Sequence, residues 1–259
     1  MDGPMGGSVA MLPGVANRPR PRDQSIRKIE TSLFHSLLLR NDRKIATYLP
    51  VGFQDGRAYD ILIVLDEDVF NGPVGLPAIL DDLIASRKLR PAVVAMVGNT
   101  NRELELSCNP AFAKMLAQEL LPWIERQFKT RRLKTSIVGS SLGGLAAACA
   151  AFQESKTFPT VVALSASFRW RPPGNPEPEW FARQIAGSPQ VKVRFSVGVG
   201  SLETDTPREP ANPSLLTAAR HLRDVLLAKS YRVMCREFPG AHEPLNWSLA
   251  IRDALIAAQ

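Results

Sequence analysis

Apolar and polar positions along the chain change period several times, and each change marks an element. Tyr59 to Leu65 (YDILIVL) and Ala92 to Val97 (AVVAMV) are continuous apolar runs of strand length, which fits strands buried on both faces. Leu76 to Lys88, between them, reads as a helix. Pro110 to Phe128 repeats Phe112, Met115, Leu116, Leu120 and Ile124 on one side at helical spacing, and Asn109 before Pro110 suits an N-cap and first turn. Further apolar strands are expected at Lys134 to Val138, Thr160 to Leu164, Val191 to Val199 and Tyr231 to Phe238. They alternate with helical stretches at Leu145 to Gln153, Ser214 to Ala228 and Leu245 to Ala258, and a proline-rich insertion runs from Pro172 to Pro178. Ahead of the first core strand, Leu33 to Leu39 and Lys44 to Leu49 flank Asn41-Asp42, the pattern of a hairpin. Strands alternating with helices predict an α/β fold: a mostly parallel twisted sheet, helices on both faces, and the N-terminal hairpin as an antiparallel edge.

Composition adjusts this picture at the ends. With 259 residues and a 45% hydrophobic fraction, a single domain with a sizeable core is expected over residues 26–259. Residues 1–25, with MDGPMGG and Asn17-Arg-Pro-Arg-Pro-Arg22, mix glycine, proline and arginine without apolar periodicity and read as a flexible arm. Val9 to Leu12 is too short for the apolar part of a secretory signal and stops at Pro13, and no run approaches membrane-spanning length. The three cysteines, Cys108, Cys149 and Cys235, are odd in number and widely spaced, without a CxxC or a nearby histidine. That pattern predicts a reducing, cytoplasmic setting and no structural metal. The net charge of +7 is dispersed among acids outside the arm, and no nucleic-acid module accompanies it, so a solvated surface or an anionic small ligand is expected rather than nucleic acid.

Candidate chemistry centres on Gly139-Ser-Ser-Leu-Gly-Gly144. A serine between two glycines, directly after an apolar strand and before an alanine-rich helix, is the strand-turn-helix elbow of α/β hydrolases, and it makes Ser141 the candidate nucleophile. An ordinary glycine-rich turn is the bland alternative. A serine nucleophile needs a base and a carboxylate to orient that base. Of the three histidines, His35 falls in the edge hairpin and His221 inside a helix, whereas His242 follows the last strand in Phe238-Pro-Gly-Ala-His242. The strand carboxyl ends are where α/β sheets collect ligands, so His242 is the expected base. Glu203 is the first carboxylate after the Val199 strand end and fits the chain order serine, acid, histidine; Asp205 and Glu209 are the alternatives. The oxyanion would accept hydrogen bonds from the backbone N–H of Leu142 and from the loop after Leu65, at Glu67 or Asp68.

With those residues placed, the chain resembles the ferric enterobactin esterases, the siderophore-hydrolase branch of the esterase D-like α/β hydrolases. The resemblance rests on Asn101-Arg-Glu-Leu-Glu-Leu-Ser-Cys-Asn109 with Phe112 and Glu119-Leu-Leu-Pro122, on the elbow, on Gly200-Ser-Leu-Glu203, and on Gly240-Ala-His-Glu243 followed by Trp247. It runs from about Lys44 to the C-terminus and implies a stand-alone hydrolase domain that cleaves a trilactone of catechol-acylated serines, destroying the chelator and freeing its iron. No cofactor is implied, because the iron belongs to the substrate. Arg102 would be a ligand-binding cation, with a surface arginine capping the next segment as the alternative. Phe168-Arg-Trp-Arg171 would supply a stacking ring flanked by charge, through Arg169 and Trp170. Two departures stand out: Leu65-Asp-Glu-Asp68 has Glu67 where the family commonly has glycine, which predicts negative charge near the oxyanion loop, and Ser248 replaces an arginine after the tryptophan. A general esterase or acyl transferase of the esterase D type, and a siderophore-binding protein with a degenerate site, are the competing functions.

Overall fold

The computed structural model describes residues 28–206 and 212–259; the arm expected over residues 1–25 and the alternative acid Glu209 lie outside them. Eight strands form a sheet in the order β1-β2-β4-β3-β5-β6-β7-β8. The strands are β1 Lys28–Ser36, β2 Asn41–Leu49, β3 Ala58–Leu65, β4 Ala92–Val97, β5 Arg131–Ser140, β6 Thr160–Leu164, β7 Arg194–Gly200 and β8 Arg232–Phe238. β1 pairs with β2 and β2 with β4 antiparallel, while all pairings from β4 through β8 are parallel. The expected antiparallel edge on a parallel sheet is therefore present.

Residue alternation along each strand builds two apolar layers, because successive side chains point to opposite faces. Ile61, Ile63 and Leu65 of β3 pack on one face with α4 Pro110–Met115, α5 Leu121–Gln127, α6 Ser141–Gln153, α7 Trp180–Gly187 and α8 Leu215–Ala228. Leu62 and Val64 pack on the other with α1 Glu67–Asn71, α2 Leu76–Ala85 and α9 Pro244–Ala258. No helix among the described residues is long and apolar enough to cross a membrane.

Several boundaries differ from the sequence expectation for identifiable reasons. The hairpin turns at Leu37 to Arg40 rather than at Asn41-Asp42, with Arg40 in the left-handed region at φ 51°. Glu119 holds that turn by accepting from Ser36 Oγ and from the backbone N–H groups of Leu37 and Leu38 at 2.6 to 3.1 Å. The single helix expected over Pro110 to Phe128 contains a π-helical turn, Leu116–Leu120, between α4 and α5. Pro122 at the start of α5 has no N–H to donate into an α-helical ladder, which accounts for the local loosening. Two short helices, α1 and α3 Arg102–Leu106, and α7 after the proline-rich insertion carry too few periodic positions to be read from the chain alone.

Two of the cysteines pair, which their spacing did not predict. Cys108 and Cys149 form a disulfide, with Cα atoms 5.3 Å apart across a sequence separation of 41. Cys108 sits left-handed at φ 54° in the turn between α3 and α4, and Cys149 lies on α6; only tertiary packing brings them together. Such bonds persist in oxidising compartments, so the cysteines give no support to a reducing one. Nearby, Arg43 of β2 makes a doubly hydrogen-bonded ion pair with Glu105 of α3 at 2.9 and 3.1 Å, both side chains buried. This pair ties the hairpin to the Arg102–Leu106 helix.

Candidate active site

The turn between β5 and α6 has the geometry that the elbow sequence predicts. Ser141 is the first residue of α6, with φ 53°, a conformation an L-residue holds only when its surroundings enforce it. Small neighbours make the turn possible: a side chain at Gly139 would run into the Gly143 carbonyl, and a Cβ at Gly144 would stand 2.8 Å from the Ala166 Cβ. The helix therefore starts four residues earlier than the Leu145 expected from its alanines. Its first N–H groups have no intrahelical partner, which makes the Leu142 N–H a donor for an anion at the helix N-terminus.

His242 lies between β8 and α9, and Glu203 comes just after β7. His242 Nε2 is 3.0 Å from Ser141 Oγ, and Nδ1 is 3.1 Å from Glu203 Oε2. The carboxylate side chain is 1% exposed and the imidazole 37%, so the acid is sealed while the base stays accessible. Asp205 is exposed. His35 bonds Asp42, and His221 bonds Glu179, so the other histidines lie in separate surface pairs. Chemically, the three assembled groups can deprotonate a hydroxyl, hold the resulting imidazolium and return the proton to a leaving group.

One residue beside the acid, Ser165, carried no motif in the sequence. Ser165, directly after β6, is fully buried at φ 46° and bonds Glu203 Oε1 at 2.5 Å; Trp247 Nε1 donates to the same hydroxyl at 2.9 Å. The Gly200 N–H also donates to Oε1, at 2.9 Å. Trp247 was legible as a tryptophan after the histidine, but its contact with Ser165 was not. The His242 and Trp247 rings are 5.1 Å apart and nearly perpendicular.

On the opposite side, Asp66 directly follows β3, in the left-handed region at φ 61°, and is buried. Its carboxylate accepts from Arg102 Nε and Nη2, both at 2.8 Å, and from Asn99 Nδ2 at 2.6 Å. Asp66 also stands against the first turn of α6, since a Cβ at Gly143 would come 2.7 Å from its Oδ2. The hydrogen bond from Arg102 to Asp66 raises the guanidinium pKa further, against the opposing pull of partial burial. Arg102 is thus engaged with the protein through one edge of its guanidinium, and 44% of its side chain remains exposed.

Glu67 opens α1, so its N–H lies in a helix first turn rather than in the loop the sequence suggested. Its side chain does not present a free negative charge: it pairs with Lys44 Nζ at 3.0 Å and accepts from Asn71 Nδ2 at 2.9 Å. The predicted electrostatic penalty is offset locally. After β6, Ser167 N–H donates to the Ser141 carbonyl at 2.9 Å, which puts the loop it opens beside the elbow. Within it Phe168 is buried against Phe181, which leaves Trp170 as the ring of this segment that reaches the surface. Trp170 is half-buried and packs edge-on to Trp180, and Arg169 Nη1 donates to the Asp205 carbonyl at 3.3 Å.

A parallel sheet covered on both faces, with a strained serine on a strand-to-helix turn bonded to a histidine, defines an α/β hydrolase. More narrowly, the chain belongs to the Esterase family, whose model, described as "Putative esterase", matches residues 36–258. Among characterised relatives, it is 25% identical over 234 residues to the iron(III) salmochelin esterase of Escherichia coli strain CFT073, covering 85% of this chain and 55% of that protein. It is 29% identical to the iron(III) enterobactin esterase of Dickeya dadantii, over 83% of this chain and 51% of that one. The chain thus matches about half the length of these curated relatives. The crystal structure of the Shigella flexneri enterobactin esterase in the presence of enterobactin superposes with a TM-score of 0.76 at 22% identity, over 89% of this chain and 59% of that one. The siderophore hydrolase EstB of Aspergillus nidulans shares the fold, with a TM-score of 0.70 at 14% identity over 96% of both chains.

Proposed function

We propose that this chain is a serine esterase that hydrolyses the ester bonds of a trilactone catecholate siderophore, acting on its ferric complex to release iron. The observation that carries the reading is the continuous contact from Ser141 Oγ through both nitrogens of His242 to the buried Glu203. The substrate class rests on the family and on the names of the relatives.

In this mechanism His242 Nε2 takes the Ser141 proton as Oγ attacks a lactone carbonyl. Glu203 holds Nδ1–H and stabilises the imidazolium. The N–H groups of Leu142 and Glu67 stabilise the oxyanion, and His242 protonates the departing serine alcohol of the substrate. Water, deprotonated by the same histidine, then releases the acyl group from Ser141. The chemistry needs no cofactor, and iron enters as part of the substrate. Arg102 through Nη1, Arg169 and Trp170 would meet the anionic oxygens and the catechol ring.

The test is chromatography of products from ferric and iron-free trilactones. Wild type should release acyl-serine fragments, and Ser141→Ala should bind the ferric complex without cleaving it. The engagement of Arg102 with Asp66 favours a second reading, a general esterase for a smaller, less charged acyl group. Fast cleavage of aryl esters with none of trilactones would establish that reading. Equal binding by wild type and Ser141→Ala with no hydrolysis of any ester would make the chain a binding protein.

A further inference from the structure

Glu203 is almost fully enclosed. Its side chain is 1% exposed, and three donors surround the carboxylate: His242 Nδ1 on Oε2, and Gly200 N–H and Ser165 Oγ on Oε1. The direction of the Ser165 bond is fixed by chemistry. An indole N–H can only donate, so Trp247 occupies a lone pair of Ser165 Oγ and the hydroxyl hydrogen is left for Glu203. Ser165 is itself fully buried and held at φ 46°, and its N–H donates to the Gly198 carbonyl of β7 at 2.6 Å. A strained, buried polar residue aimed at a carboxylate is an arrangement the surrounding structure must maintain.

We propose that Ser165 and Trp247 form a positioning pair that holds the Glu203 carboxylate with its Oε2 turned to His242, so that Nδ1 carries the hydrogen and Nε2 is free to accept the Ser141 proton. The inference rests on the esterase reading of the site. Trp247 serves twice: its N–H orients Ser165, and its ring stands edge-on to His242 at 5.1 Å. Neither residue has a hydrogen bond to Ser141, so their effect passes through the acid and the base.

Removing the Ser165 hydroxyl leaves a buried carboxylate short of one charge-assisted hydrogen bond. A less stabilised carboxylate makes the Glu203–His242 pair take up a proton more readily. The acid side of the pH–rate profile must then move to higher pH. Other ionisable groups on the elements meeting here include Asp205 on the same loop, Glu243 next to His242, Arg220, His221, Arg223 and Asp224 on α8, and Arg252 and Asp253 on α9. Arg220 and His221 are held by Glu237 and Glu179 respectively.

The experiment compares wild type with Ser165→Ala, Ser165→Gly and Trp247→Phe on a neutral aryl ester across pH. Glycine adopts positive φ without strain, so Ser165→Gly removes the hydroxyl while easing the backbone and guards against a folding failure. Both Ser165 variants are expected to keep KM, lose kcat by roughly 10- to 100-fold, by analogy with the hydrogen-bond partners that orient metal-bound side chains, and shift the acid-side midpoint up by about one pH unit. Trp247→Phe should shift it the same way by less. An unmoved midpoint in both Ser165 variants overturns the inference even if kcat falls, because a purely structural role would lower activity without changing the proton linkage. If wild type cleaves no ester at all, the esterase reading itself fails, which is a different result.

Discussion

Ser141 and Ser165 come directly after adjacent parallel strands, β5 and β6, and both sit in the left-handed region, at φ 53° and 46°. One hydroxyl meets the accessible edge of His242; the other is sealed inside and meets the acid. The two strands lead into different structures. β5 runs straight into α6, whose glycines let the helix start close against the sheet and lift Ser141. β6 runs into a loop whose first residue turns inward between β7 and α9. The same backbone conformation thus presents one hydroxyl to the histidine and another to the carboxylate, and the direction of the side chain separates them.

The comparison breaks most sharply at Ser141. Ser141→Ala is expected to lower kcat on any ester by on the order of 10⁶-fold, as loss of the nucleophile does in serine hydrolases, with substrate binding retained by calorimetry. A residual rate much nearer to wild type would remove Ser141 from the chemistry.

Glu203→Gln probes the inward side. It keeps the shape but reverses the preferred tautomer of His242, and the expected loss is on the order of 10⁴-fold in kcat. Asp205→Asn should remain near wild type because that carboxylate is exposed and lies outside the bonded chain. Equal losses in the two variants would mean that the acid has been misplaced.

The disulfide sharpens the contrast in stability rather than rate. Cys149 lies on α6 beyond Ser141, so the bond anchors the outward serine's helix to the α3–α4 turn. Replacing Cys108 and Cys149 by alanine should lower unfolding free energy by about 4 kcal/mol, the loop-closure value for a separation of 41. Denaturant titration checks this, and an unchanged midpoint would show that the bond adds nothing.

The smallest effect is expected at Cys235 on β8, the strand that leads to His242. Burial pushes its thiol pKa up, so less thiolate is present at neutral pH and alkylation should be slow there, quickening as pH rises through and past the ordinary thiol range. Without reductant one thiol per chain should react, with activity unchanged; three should react after reduction and unfolding.

Much of this molecule was legible in the chain. Continuous apolar runs gave the core strands, helical spacing gave α2, α8 and α9, and the glycines around Ser141 announced the elbow, because periodicity and turn sterics are local. His242 and Glu203 were found from chain order and from their places just past strand ends. What stayed hidden involves partners distant in sequence. Ser165 looks like any serine until the β6–β7 register sets it beside Glu203 and α9 lays Trp247 over it. Arg102 reads equally as a ligand cation or a cap until the packing of β3 against β4 delivers Asp66 to it. Cys108 and Cys149 look unpaired until α6 packs beside the α3–α4 turn. Side-chain period and backbone sterics act within a few residues and are written directly in the order of amino acids. Which hydroxyl, carboxylate or thiol meets which depends on strand register and helix packing, and those are settled only when the whole sheet closes.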